Sequence, residues 1–228
     1  MLPAQTCKTD HVGVPGVDDM TVLIGIMADS HGQADAIRNA LAVFADAGCR
    51  SVYHLGDVCD STHPETANAC LRLLQDRSVK TIKGNNDQAI LANHIGREKS
   101  PVSQDVLRAF KKLDLVKYYQ NAMFIHSLPF VQELGLSSMI GTMGSQEIHR
   151  FCNEFPGHIL FRGHSHSPEI AWLSGGQVQV KSLVAGAKLD LSERIPCVVT
   201  CGALTRGLCM IWNPAENDIE SIAFHHSN

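Results

Sequence analysis

Short apolar runs punctuate the chain, and five of them end beside a residue able to hold a metal ion. Residues 21–27, TVLIGIM, lead to Asp29, and residues 51–55, SVYHL, lead through Gly56 to Asp57. Residues 79–82 precede Gly84 and Asn85, residues 122–125 precede His126, and residues 159–161 precede Gly163 and His164. Runs of this length, bounded by glycine and polar turns, predict β-strands. Between them the apolar spacing becomes helical. Ile37, Ala40, Leu41 and Phe44 mark a helix over residues 33–47, with Gly48 where a C-terminal cap belongs. Ala67, Cys70, Leu71 and Leu74 mark a second helix opening at Pro64. Val106, Leu107 and Phe110 define a third over 103–113; Ile148, Phe151, Cys152 and Phe155 define a fourth over 145–155. These stripes read as core-facing.

The last third changes rhythm. Residues 169–173 and 177–181 flank Ser174-Gly175-Gly176 and predict a β-hairpin. Further strands are expected near 197–200, 208–212 and 219–224. Parallel βα units followed by antiparallel strands predict an α/β fold of two packed sheets with outer helices. Residues 94–101 and 127–142 read as loops shaping a cleft, with Gly135, Gly141 and Gly144 permitting tight turns. No repeat or interdomain linker interrupts the pattern. It predicts one domain over 20–228 behind a flexible tail at 1–19.

Composition narrows the partners. The 228 residues carry a net charge of −4, 44% hydrophobic and 18% charged residues, an ordinary globular balance. The longest basic cluster is Lys111-Lys112, so a nucleic-acid partner is disfavoured. No run approaches the ~18 apolar residues of a membrane span, and the first residues lack a signal-peptide core. Eight cysteines without a CxxC pair predict free thiols in a reducing compartment, hence a cytoplasmic protein. Cys59 follows Asp57 closely, but nothing beside it in sequence would lower a thiol pKa.

Asp29, His31, Asp57, Asn85, His126, His164 and His166 are hard or borderline oxygen and nitrogen donors. Open α/β sheets place ligands beyond the carboxyl ends of their strands. Singly, each residue has a plainer reading: a structural histidine, a strand-to-helix turn, a helix cap. Jointly, at five strand ends, they predict a metal site.

Read as DSH, GD, GNND, H and GHSH, the chain resembles the calcineurin-like metallophosphoesterases, and within them the small single-domain phosphodiesterase branch. The resemblance runs from about Met20 to the C-terminal strands. It implies a four-layer αββα sandwich of two mixed sheets flanked by helices. It implies one metal on Asp29, His31 and His166, a second on Asn85, His126 and His164, and Asp57 bridging both. Many members place a proton-donating His after the metal-binding Asn; Asn86 stands there, which makes it the catalytic position in question. The family's Gly after the fourth-motif His is Ser127 here, and the phosphate-clamping Arg of the protein-phosphatase branch has no counterpart after Asp60.

The expected activity is hydrolysis of phosphodiester or phosphoanhydride bonds in a small phosphate-ester substrate. Two divalent transition-metal ions, Mn²⁺ first with Fe, Zn, Ni or Co as alternatives, would share a bridging hydroxide. Asp87 is the expected orienter of the ligands and Arg206 the expected substrate contact; His54 and His63 are the other histidines near the second motif. Phosphomonoesterase or dinucleoside-polyphosphate hydrolase activity is the alternative within enzymes. A non-catalytic scaffold of the same fold is the alternative outside them, although a scaffold need not keep all seven ligands. A homo-oligomer stays open.

Overall fold

The computed structural model describes residues 22–224, so the expected tail at 1–19 lies outside the described residues. Its chain runs β1 (Ile24–Met27), α1 (Ala34–Asp46), β2 (Ser51–His54), α2 (Ala67–Asp76), β3 (Lys80–Thr81), α3 (Asn85–His94), α4 (Gln104–Lys112), β4 (Val116–Tyr119) and β5 (Ala122–Ile125). It continues through α5 (Val131–Leu134), α6 (Ser145–Glu154), β6 (Ile159–Arg162), β7 (Glu169–Ser174) and β8 (Gln177–Ser182). β9 (Lys188–Asp190), β10 (Cys197–Thr200), β11 (Leu208–Asn213) and β12 (Asp218–Ala223) complete it.

Two six-stranded mixed sheets result, in the orders β3-β2-β1-β11-β12-β9 and β4-β5-β6-β10-β7-β8. In the first, β1, β2 and β3 are parallel and β11, β12 and β9 antiparallel. In the second, β5, β6 and β10 are parallel, with β4 on one side and the β7–β8 hairpin on the other running antiparallel. Strand alternation explains the layers. Ile24 and Ile26 of β1 face inward and meet Phe124, Phe161 and Val199 of the second sheet. Tyr53 stacks on Phe124 across that interface, ring centroids 3.9 Å apart. Met27 faces outward into a core with Ile37, Phe44, Leu74 and Phe110 from α1, α2 and α4. Beyond the second sheet, Ile125, Leu160 and Val198 pack on Ile148 and Phe151 of α6. The fold is therefore the expected αββα sandwich.

The helices form where the stripes predicted. Ser103 caps α4 by accepting the Val106 N–H, and Lys111 and Lys112 occupy its last turn, where cations favour the helix dipole. Three elements escaped the pattern. β4 is half-buried and β9 has three residues, so neither makes a full apolar run. α3 buries only Asp87, Ile90 and Leu91, too narrow a stripe to announce a helix. Residues 127–142 are also more ordered than a loop. They hold α5 and a 3₁₀ turn (Gly135–Met139), and only Gly135 of the three singled-out glycines has a positive φ.

Candidate metal centre

All seven predicted donors come together at the carboxyl ends of the parallel strands. Asp29 and His31 follow β1, Asp57 follows β2, and Asn85 opens α3 after β3. His126 follows β5, and His164 and His166 follow β6. Oδ1 of Asp29 lies 3.6 Å from His166 Nε2, which is 3.2 Å from His31 Nε2. On the other side, His126 Nε2 is 3.0 Å from Asn85 Oδ1 and 3.2 Å from His164 Nδ1. Asp57 stands between the two groups. Its Oδ1 is 3.5 Å from His126 Nε2 and its Oδ2 is 3.8 Å from His31 Nε2.

The backbone bends sharply to achieve this. Asp29, His31, Asp57, His164 and His166 all have φ between 43° and 70°, and they are five of the eight non-glycine residues with positive φ among the described residues. Such conformations cost about 1–3 kcal/mol each and persist where the surroundings impose them. Close approach is the second device. A Cβ on Gly84 would sit 2.1 Å from the Asp57 backbone nitrogen, and one on Gly163 would sit 2.8 Å from Asp29 Oδ2. Neither feature is visible as strain in the sequence, although the glycines themselves are.

The donor set fits cations. Asp29 Oδ1 is buried without a hydrogen-bond partner, while Oδ2 accepts the His164 N–H at 2.9 Å. Burial, and then the neighbouring Asp57, push the Asp29 pKa well above the carboxylate range. A cation beside it would offset both effects. His126 gives Nδ1–H to the Leu55 carbonyl at 2.8 Å, which leaves the Nε2 lone pair facing the cluster. Burial lowers its pKa to about 4 and lowers those of His164 and His166, so these imidazoles are neutral donors at pH 7. Asp29, His31 and His166 offer ligand atoms within 4.8 Å of one another, as do Asp29, Asp57 and His126.

Surrounding groups tie the donors down. Asn86 donates from its backbone N–H to Asp57 Oδ1 at 2.8 Å and from Nδ2 to Oδ2 at 2.7 Å. Its own Oδ1 accepts from the Ser61 hydroxyl at 2.9 Å. Asn86 thus grips Asp57, and its amide is committed on both ends. Asp87 is fully buried and accepts the N–H groups of Gly84 and Cys59, lacing the loop after β2 to the start of α3. Burial and Asp57 raise its pKa to about 7.

Two other histidines separate clearly. His54 is buried, and its Nε2 lies 2.9 Å from Ser30 Oγ. Because Ser30 donates to the Val58 carbonyl, the proton between them belongs to His54. Burial lowers its pKa to about 3. His63 is exposed and lies 3.4 Å from Glu65. Cys59 points into the helix-side core, where its thiol meets Cys70 and its pKa is raised. Ser127 donates to the Gly141 carbonyl.

Arg206 is exposed at the end of a 3₁₀ turn (Leu204–Arg206) that docks on the Asp29 loop through Leu204 N–H to Ala28 O at 2.9 Å. Its charge reaches His166. Sequence reasoning missed Arg162, a buried guanidinium that donates to the Ser127 carbonyl and Thr200 Oγ1 behind the cluster. An arginine closing an otherwise apolar strand before Gly163 was the available signal.

A two-sheet sandwich with seven clustered donors at its strand ends is the architecture of a metal-dependent phosphoesterase. The chain belongs to the calcineurin-like phosphoesterase superfamily, whose domain model matches residues 22–194. A metallophosphoesterase from Sphaerobacter thermophilus has a similar structure, with TM-score 0.69 and 18% identity over 91% of this chain and 89% of that one. Hypothetical protein PH1004 from Pyrococcus horikoshii gives TM-score 0.62 and 11% identity over the same shares. TT1561 of Thermus thermophilus gives 0.53 and 11% over 90% of this chain and 99% of that one. No curated protein matches the chain. Among the described residues no helix is long and apolar enough to cross a membrane.

Proposed function

We propose that the chain is a dinuclear metal-dependent phosphoesterase that hydrolyses phosphodiester or phosphoanhydride bonds of small substrates. The observation that carries this reading is Asp57, whose two carboxylate oxygens face two different histidine groups at 3.5 and 3.8 Å. Asp29, His31 and His166 would hold one ion, Asn85, His126 and His164 the other, and Asp57 both. Bound there, divalent ions activate water for attack at phosphorus and neutralise charge on the phosphoryl oxygens. Mixed nitrogen and oxygen donors favour Mn²⁺, Fe, Co, Ni or Zn over Ca²⁺.

The residues divide the remaining work. Asn86 holds Asp57 in the orientation that turns it to both histidine groups, through both carboxylate oxygens. Asp87 fixes the two loops that carry Asp57 and Asn85. Arg206, exposed on the turn whose Thr205 N–H donates to the Asp29 carbonyl, receives a substrate phosphate. None of the candidates near the second and third motifs supplies a proton to the leaving group. Asn86 carries an amide, His54 is buried and neutral, and His63 is an exposed side chain outside the clustered donors. The free thiols among the described residues support a reducing cytoplasm as the place of work.

Elemental analysis and a substrate panel test the reading together. The protein should take up about two ions per chain and cleave bis-p-nitrophenyl phosphate or a nucleoside polyphosphate far faster than an alkyl phosphodiester. General acid catalysis contributes about 10²–10⁴-fold and matters most for poor leaving groups. Asn86→His should narrow the gap by raising the alkyl rate, with metal content measured as a control. Uptake of no more than one ion under saturating metal sinks the dinuclear centre. A rate indifferent to leaving-group pKa shows that a general acid exists elsewhere.

A further inference from the structure

The longest basic cluster in the sequence is a pair of lysines, yet the fold assembles a larger one. Lys80 at the start of β3, Arg108 and Lys112 on α4, and Lys117 on β4 line a single cleft of about 480 Å³. The cleft opens where the edges of the two sheets meet, a seam marked by the bridge between Ile82 and Asp114. It shares no residue with the metal centre. Leu71, Val79, Ala109 and Leu113 supply apolar walls. On a chain of net charge −4, four cations against the single carboxylate of Asp105 around one small depression are a local reversal of sign.

Not all of that charge is neutralised internally. Arg108 pairs with Asp105 and Lys117 with Asp114. Lys80 is held by neutral groups only: its Nζ lies 3.2 Å from the Tyr53 hydroxyl, 3.5 Å from Ser51 Oγ and 4.9 Å from the Tyr53 ring centroid. Lys112 has no ion pair among the described residues. Two ammonium groups without a carboxylate partner, in a cleft with aliphatic walls, are complementary to an anion that carries an apolar body. The volume falls within the range of about 300–1,000 Å³ typical of small-molecule sites.

We propose that this cleft binds a small organic phosphate of the build of a nucleoside diphosphate, at a site separate from the metal centre. Lys80 and Lys112 take the phosphate oxygens, and the walls from α2 and α4 cover the organic part. Binding here needs no metal ion, which separates it from any phosphate held at the cluster.

Calorimetric titration of ADP into the full chain in EDTA tests this at low and at moderate salt. One saturable site is expected, weakened by salt because exposed charges carry it. Lys80→Gln with Lys112→Gln should weaken it at least about tenfold. Both side chains are exposed, but Lys80 also partners the hydroxyl of the buried Tyr53, so thermal unfolding of the double glutamine variant is followed as a folding control, and the double arginine variant should keep binding. Asp57→Asn should bind ADP as wild type does. Inorganic pyrophosphate, which lacks an apolar body, should bind at least about tenfold more weakly. Four results overturn the proposal: no saturable ADP binding in EDTA, equal affinity in the double glutamine variant, loss of binding in Asp57→Asn, or pyrophosphate as tight as ADP.

Discussion

The first sheet supplies every carboxylate at the cluster, whereas the second supplies only imidazoles. Asp29, Asp57, His31 and Asn85 come from the loops after β1, β2 and β3; His126, His164 and His166 follow β5 and β6. The layers outside the sheets differ in the same sense. α1, α2 and α4 close the first sheet's outer core, while α6 alone packs on the second's. Depth does not follow the sheets: the Asp29 and Asp57 side chains are 0% and 4% exposed and His126 of the second sheet 1%, while His31 and His166, one from each sheet, reach 19% and 29%. Each proposed ion draws ligands from both sheets, so ion binding would staple the two halves of the sandwich at one end. The sheets themselves are held elsewhere by the Tyr53, Phe124, Phe161 and Trp212 rings.

The sharpest break is Asp57→Asn, because it removes the carboxylate whose two oxygens each face a different histidine group. Both ions should be lost together, with a fall in turnover of about 10³-fold or more, since metal activation is worth several kcal/mol. Elemental analysis showing one ion retained would mean that the two histidine groups do not share Asp57. A smaller and more selective effect should come from one ligand on each sheet. His31→Ala should release mainly the ion on Asp29, and His164→Ala mainly the ion on His126. Each should cost about 2.7 kcal/mol of metal-linked stability at a hundredfold excess over Kd, or about 5–10 °C for a chain of this size. Equal loss of both ions from either variant would contradict the partition.

Asp87→Asn probes the carboxylate side without touching a ligand. An amide cannot accept two N–H donors through both heads, so either Gly84 or Cys59 loses its partner. Groups that orient ligands typically cost about 10–100-fold in metal affinity when lost. Competition titration with a chromophoric chelator reads this directly. An affinity unchanged within about threefold, well below that range, would show that backbone packing alone holds the two loops.

Much of this centre was legible because the signals were local. Each donor follows its own apolar run, and a strand end aims whatever follows it beyond the sheet. Asp57 and His126 could be placed that way without any knowledge of which strands are neighbours. The strand order was not legible in the same way: β11 pairs with β1 across about 180 residues, and nothing in IGIM or LCMIWN names the other. Asn86 shows a different limit. Its residue type ruled out a charged proton donor, but its grip on Asp57 depends on Ser61 lying 25 positions away on an adjoining loop. The cation-lined cleft was invisible for the same reason, since Lys80, Lys112 and Lys117 belong to three elements. β9 was missed on length alone, because three residues carry too little alternation to register as a strand.

Arg206 is the mildest test and the one that bears on both sheets at once. Its loop leaves β10 of the second sheet and enters β11 of the first, and Cys201 and Leu204 tie it to Arg162 and Ala28 on either side. An exposed guanidinium there would meet substrate before and during reaction alike, and so would contribute uniform binding. Arg206→Ala should therefore raise KM about tenfold, the size of one charge-assisted contact discounted for exposure, and leave kcat within about threefold. Arg206→Lys should recover part of the loss, because a point charge replaces the planar fork without its bidentate fit. A fall in kcat at constant KM would move Arg206 from substrate capture to the transition state. No change in either constant would make it a solvated loop charge, and the second sheet would then contribute histidines and nothing else.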